Sequence, residues 1–120
     1  MRKWLVLYVC LWVNTALAGD AHFHPKKVAK CKKVTCNKEE IKLAVSEGIR
    51  ELQKWGKIDK KWLDAKVVTV ELKTFKKKQK SITVWVVDIS KQIKDGWDLQ
   101  YVYFTQKGKV FRANNTGELK

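Results

Sequence analysis

The chain has 120 residues, of which 45% are hydrophobic and 32% charged, enough apolar content for one packed core and too much for a disordered polyelectrolyte. Its 26 Lys and Arg against 12 Asp and Glu give a formal charge of +14, which disfavours cationic partners and points to polyanions or acidic surfaces. Only two histidines are present, so chemistry that relies on several imidazoles is excluded.

Arg2 and Lys3 precede an apolar run over 4–13, and Ala16-Leu17-Ala18 has the small-x-small pattern of an export cleavage site. The expected cut falls between Ala18 and Gly19, giving a secreted product. No later segment is apolar enough to span a bilayer, and a soluble monomer is expected. Cleavage removes two of the 26 cations, and all those remaining except Arg50 and Arg112 are lysines. Lysine is a hydrated point charge, whereas arginine offers a planar fork, so the expected partner is recognised by charge rather than by bidentate geometry.

Residues 19–33 read as a flexible basic arm holding Pro25 and five lysines with no acid after Asp20. Cys10 leaves with the signal, and Cys31 and Cys36 remain as an even pair in an oxidising compartment, which predicts a Cys31–Cys36 disulfide. A zinc site would need a second ligand pair that the chain lacks.

Asn37 and Glu40 form a capping-box pattern. Ile41, Val45, Gly48, Leu52 and Trp55 then follow at spacings of three and four, predicting an amphipathic helix over 38–55 that ends at Gly56. Glu39 with Lys42, Glu47 with Arg50 and Glu51 with Lys54 read as ion pairs on its solvated face. Asp59 caps a short second turn, Ile58 and Leu63 form a staple, and Trp62 helps to close the core.

From Ala65 the period changes to alternation. Val68, Val70 and Leu72 mark a first strand. A second, over 81–90, is apolar on both faces and therefore central or covered on both sides. A third runs over 97–105 and a fourth over 109–113, with loops at 76–80, 91–96 and 106–108. The predicted fold is α+β, with one amphipathic helix packed across a four-stranded antiparallel meander sheet. The domain spans 34–113, and 114–120 forms a C-terminal tail.

Catalytic patterns are absent: there is no Gly-x-Ser-x-Gly, phosphate-binding glycine loop or His-Glu-x-x-His. His22 and His24 lie in the arm, away from the core. Glu71 and Arg112 form the best partial set for ribonuclease-like chemistry, but read more simply as surface residues, so no catalytic residue and no cofactor are expected. A cut after Gly19 instead would expose Asp20-Ala21-His22, a nitrogen set suited to copper(II) or nickel(II). The preferred cut removes that geometry, and no metal is expected.

Two binding surfaces are expected instead. Lys76, Lys77, Lys78 and Lys80 share a hairpin loop anchored by strands, whereas the lysines over 26–33 sit on a mobile arm and must be ordered on binding. Trp85, Trp97, Tyr101 and Tyr103 could form an aromatic sheet face able to stack bases. Asn114-Asn115-Thr116 is a glycosylation sequon placing a glycan on Asn114 in an exposed tail.

Val34-Thr35-Cys36 ahead of the helix, and Gly108-Lys109-Val110-Phe111 followed by Gly117, resemble the lead and the glycine-bounded late hairpin of the small secreted RNase-like effectors of powdery mildews and related fungi. The resemblance covers Val34 to the end. It implies a ribonuclease-like scaffold without the catalytic residues, engaging a host protein or nucleic acid. Val34 stands where that family has an aromatic residue, and no cysteine follows Cys36 to bridge to the C-terminus. A cystatin-like fold also lays one helix across a meander, but its Gln-x-Val-x-Gly hairpin is absent and the sole proline, Pro25, precludes its Pro-Trp hairpin. The reading is a secreted, non-catalytic binding protein for a host protein, nucleic acid or other polyanion. The alternative is a defence or matrix protein for anionic glycans or microbial membranes.

Overall fold

The computed structural model describes residues 24–119. The expected signal over 1–18, Cys10 and the Asp20-Ala21-His22 set lie outside those residues. The fold is α+β, with a single antiparallel sheet. It differs from expectation in having five strands and two helices: β1 (Lys26–Lys27), α1 (Lys38–Leu43), α2 (Val45–Lys54), β2 (Lys66–Lys77), β3 (Lys80–Ile93), β4 (Gly96–Thr105) and β5 (Lys109–Asn114), with a 3-10 turn at Lys60–Asp64. The strand order is β1-β5-β4-β3-β2.

The extra strand comes from the segment expected to be a flexible arm. Lys26 pairs with Val110 and Lys27 with Lys109, and the Val28 and Ala29 amides then donate to the Gly108 carbonyl at 3.0 and 3.2 Å. Ala29 is buried in the core, and Lys26 Nζ lies 3.5 Å from Glu51 on α2. The described part of this segment is therefore tied down through its backbone and one small side chain, neither of which alters the lysine-rich composition.

The helix is interrupted at Ala44 (φ −91°, ψ −3°), where the amide bonds back to Ile41 over three residues. Nothing in Lys42-Leu43-Ala44 announces the break. Ile41, Ala44, Val45, Gly48, Ile49 and Leu52 still form one buried stripe across both segments. The capping box is present, with Glu40 N–H donating to Asn37 Oδ1 and Asn37 N–H to Glu40 Oε1, both at 2.9 Å. Of the helix acids, Glu51 is buried rather than solvated. It accepts from Trp55 Nε1 at 3.3 Å and lies 3.5 Å from both Lys26 and Lys54. Partial desolvation pushes its carboxyl up, but the Trp55 donor and the two lysines outweigh this and hold it below the usual range.

The strands run longer than expected. The loop predicted over 76–80 is a two-residue turn, because Lys76 pairs with Ser81 and Lys77 with Lys80. Lys78 takes the positive φ (59°) that such a turn requires. Apolar residues on both faces of β3 serve two clusters. Val87 and Ile89 join Val70, Val102, Phe104 and Val110 beneath the helices. Val84 and Val86 join Tyr103 on the reverse face, flanked by Phe75, Tyr101, Phe111 and Leu119.

The helix sits on the sheet through Gly48. A β-carbon there would lie 2.8 Å from Phe104 Cζ and 3.3 Å from Val110 Cγ2, and both neighbours are fully buried. Alanine at 48 gains about 1 kcal/mol of helix propensity. Forcing the ring aside costs about 1–3 kcal/mol, so Gly48→Ala is expected to destabilise by about 1 kcal/mol. Urea titration should show a lower midpoint with an unchanged slope. A midpoint equal to the parent's would mean that α2 does not depend on this close approach.

Candidate anion-binding surface

In a meander the β2–β3 and β4–β5 turns lie at the same end of the sheet, and here a third loop joins them. The 31–36 disulfide loop is held against the β4–β5 turn, with Cys36 N–H donating to the Gln106 carbonyl at 2.8 Å. Gly108 (φ +91°) lets the chains approach this closely, since a β-carbon there would sit 2.8 Å from Ala29 Cβ and 2.9 Å from Cys36 Sγ. The expected Cys31–Cys36 disulfide is present and closes the loop.

The three loops bring together lysines that are distant in sequence. Lys76, Lys77, Lys78 and Lys80 crown the β2–β3 hairpin, Lys107 and Lys109 flank the β4–β5 turn, and Lys30, Lys32 and Lys33 lie on or beside the disulfide loop. All nine are exposed. No acid occurs over 24–38, 72–87 or 99–117. Among the described residues no ion pair involves the four hairpin lysines. The acids gather at the other end, where Asp98 pairs with Lys61 at 3.3 Å and Asp64 with Lys91 at 2.7 Å. The sheet is therefore polarised along its strands, with one end predominantly cationic and the other mixed.

Glu40 is the acid nearest the cationic end, and both its carboxylate oxygens are engaged. Oε1 accepts from Asn37 N–H, and Oε2 accepts from Lys32 N–H at 3.0 Å. These backbone donors, Asn37 first and Lys32 second, hold the Glu40 carboxyl below its ordinary range. Glu40 lies with Cys31 and Cys36 in a cluster whose ligand atoms fall within 4.8 Å of one another. With the sulfurs joined and the carboxylate bonded to backbone, the cluster fastens the disulfide loop to α1.

The aromatic surface is divided. By register Trp85 shares a face with Phe104, under the helices, whereas Trp97, Tyr101 and Tyr103 share the reverse face. Trp85 is half-buried with its Nε1 buried and, among the described residues, without an acceptor. On the reverse face Tyr103 is fully buried, and the Tyr101 ring lies 3.3 Å from where a Gly117 β-carbon would stand. Trp97 alone of the four is open, at 60% exposure, so the four do not form a shared stacking platform. Glu71 and Arg112 are separated by β3 and β4, a distance of about 14 Å at ordinary strand spacing, and do not converge on one phosphate.

The tail after β5 folds onto this reverse face. Asn114 Oδ1 accepts from the Tyr103 hydroxyl at 3.0 Å and from the Gly117 amide at 3.1 Å. Asn114 Nδ2, the atom a glycan would modify, donates to the Glu118 carbonyl at 2.9 Å.

The lysine end is visible only in part from sequence. The four hairpin lysines form an evident run, but their assembly with the disulfide loop and the β4–β5 turn requires the strand topology. The signal that could find it is the absence of acids from three separated stretches.

The Glu40 clamp predicts a pH dependence. Its carboxyl is depressed in the folded state, so its contribution is present above the unfolded carboxylate pKa and is lost as pH falls through the lower, folded one. Glu40→Gln keeps at most one of the two backbone acceptors in place. It should be less stable than the parent near neutrality, and the difference should shrink as pH drops below the usual carboxylate range. Thermal unfolding from neutral to acidic pH measures this, and a gap independent of pH would remove the charge from the argument.

No curated protein and no solved structure matches the chain. A family model described as a family of unknown function, DUF6488, matches residues 1–118, and the chain belongs to that family.

Proposed function

We propose that the protein is an exported, non-catalytic binding module that engages a polyanionic chain bearing phosphate or sulfate groups, nucleic acid foremost, through the lysine end of its sheet. The observation that carries this reading is the placing of three loops with exposed lysines at one end of the sheet, where the carboxylate that approaches them, Glu40, is bonded to backbone amides. Export rests on the residue pattern over 1–18. Among the described residues no helix is long and apolar enough to cross a membrane.

Lysines suit a ligand recognised by charge density, because each neutralises an anionic group without demanding a fixed approach. Binding then draws on counterion release and weakens with salt. The lysines at Lys30, Lys32 and Lys33 share in this. The disulfide, the Glu40 clamp and the Gly108 contacts order that loop beforehand, so the entropy cost expected for a mobile arm is reduced.

Replacing Lys76, Lys77, Lys78 and Lys80 by glutamine should weaken binding to single-stranded RNA and to heparin. For RNA it should flatten the logarithmic salt slope by up to about 3, at roughly 0.7 for each phosphate no longer neutralised. Lys30, Lys32 and Lys33 replaced together should act similarly per charge. Replacing Lys60 and Lys94, at the acid-bearing end, should have little effect. Salt-titrated binding, with circular dichroism as the control for folding, decides the matter. An equal loss per charge at the two ends would leave only a diffuse cationic surface and end the assignment of a site.

A further inference from the structure

The sheet ends in two unlike edges. β1 offers two residues, whereas β2 offers twelve, and among the described residues β2 pairs only with β3. A long open edge presents alternating amides and carbonyls that can template another strand. Beside it lies a cavity of about 290 Å³, lined by Lys38, Glu39 and Lys42 of α1 and by the consecutive residues 67–71 of β2. The strand is irregular here, since its register with β3 shifts between Val67 and Thr69, and β2 is the edge strand of the sheet. Val68, where the β2–β3 register shifts, and Leu72 stay about half exposed at 54% and 47%.

We propose that this edge accepts an extended acidic segment of another protein as a sixth strand, seated between β2 and α1. Charge selects this occupant. Lys38 and Lys42 line the helix side together with Glu39, and Lys66 and Lys73 lie along the strand. Glu71 is already paired with Lys73 at 3.6 Å. A second copy of the chain pairing antiparallel about the middle of β2 would set Lys66 opposite Lys77 twice, and like charges directly opposite are destabilising. A nucleic acid lacks the alternating donors and acceptors that an open edge requires. The surface is thus separate in chemistry from the lysine end, although the two meet near Lys76 and Lys77.

The probe is a ten-residue peptide of alternating glutamate and valine, with a second version N-methylated at alternate residues to block one hydrogen-bonding edge. Amide hydrogen exchange followed by NMR on the intact protein reports the contact. The outward amides over 67–71 should slow by about tenfold or more with the first peptide and remain unchanged with the second. Lys38→Glu with Lys42→Glu should weaken binding about tenfold, and the four-glutamine hairpin variant should retain the protection at 67–71. Unchanged exchange along β2, equal binding of the N-methylated peptide, or loss of protection in the hairpin variant would each overturn the proposal. None of these outcomes bears on RNA binding, whose failure is measured separately.

Discussion

The Gly108 carbonyl accepts the amides of Val28 and Ala29, while its α-carbon lies where only a hydrogen fits against Ala29 and Cys36. This crowded junction joins β1, the disulfide loop and the β4–β5 turn. Without it the lysines before α1 would be a basic leader with no fixed relation to the sheet. With it they stand beside Lys107 and Lys109 at the end of the sheet from which the β2–β3 hairpin extends. The disulfide closes only a short loop, so its entropic effect alone is modest, on the order of 2 kcal/mol. Its larger consequence is geometric, because it shapes the segment that Glu40 and Gly108 then hold.

The regular elements are legible because their residues obey a period. Ile41 to Leu52 repeats at three and four, and the strands alternate, so the helix stripe, the meander and the coverage of β3 on both faces follow from side chains alone. Asn37 and Glu40 fix the helix start because a capping box is a local exchange of hydrogen bonds that needs no tertiary partner. The features that escape are those in which backbone or distant register decides. β1 is two lysines whose pairing is a main-chain event, and its burial depends on Ala29, which carries no periodic signal. The turn at Lys78 reads as a loop because its residues lack the glycine or asparagine usual at positive φ. Composition groups Trp85 with Trp97, Tyr101 and Tyr103, yet strand parity sends it to the opposite face. The lysine end is half legible for the same reason: the run at 76–80 is local, its neighbours are not.

The reverse face shows how a small domain covers a second apolar surface without a second layer of helices. Tyr103 lies at its centre, with Phe75 and Phe111 rings 6.3 and 6.2 Å away. The final residues close over it, with Asn114 linking the Tyr103 hydroxyl to the amides of the turn that follows. Burial pushes the Tyr103 phenol up, against the lowering effect of Asn114, so it is a neutral donor at physiological pH. Leu119 then packs beside this cluster. A tail that reads as polar in sequence thus completes a core around Tyr103, while Trp97 and Leu99 of the same face stay exposed.

Charge segregation is what supports the proposed binding role of the lysine end over a role in solubility alone. Lysines serving solubility alone are best interspersed with acids, as they are at the end of the sheet that carries Asp64 and Asp98. At the opposite end Lys77 faces Lys80 across the ladder with no acid between them. Two such charges about 6 Å apart repel by roughly 0.7 kcal/mol in water before salt screening. That pair is a small cost, to which Lys78 adds the strain of a positive φ. The long β2–β3 ladder can bear that cost because its pairing continues past the end of β4: Thr105 is level with Val84, and four further residues of β3 extend beyond. A hairpin that carries repelling lysines to its tip holds them in the geometry that an anionic chain would otherwise have to impose. Under the proposed function the bound state would need little further ordering, and an arriving anion would relieve the repulsion.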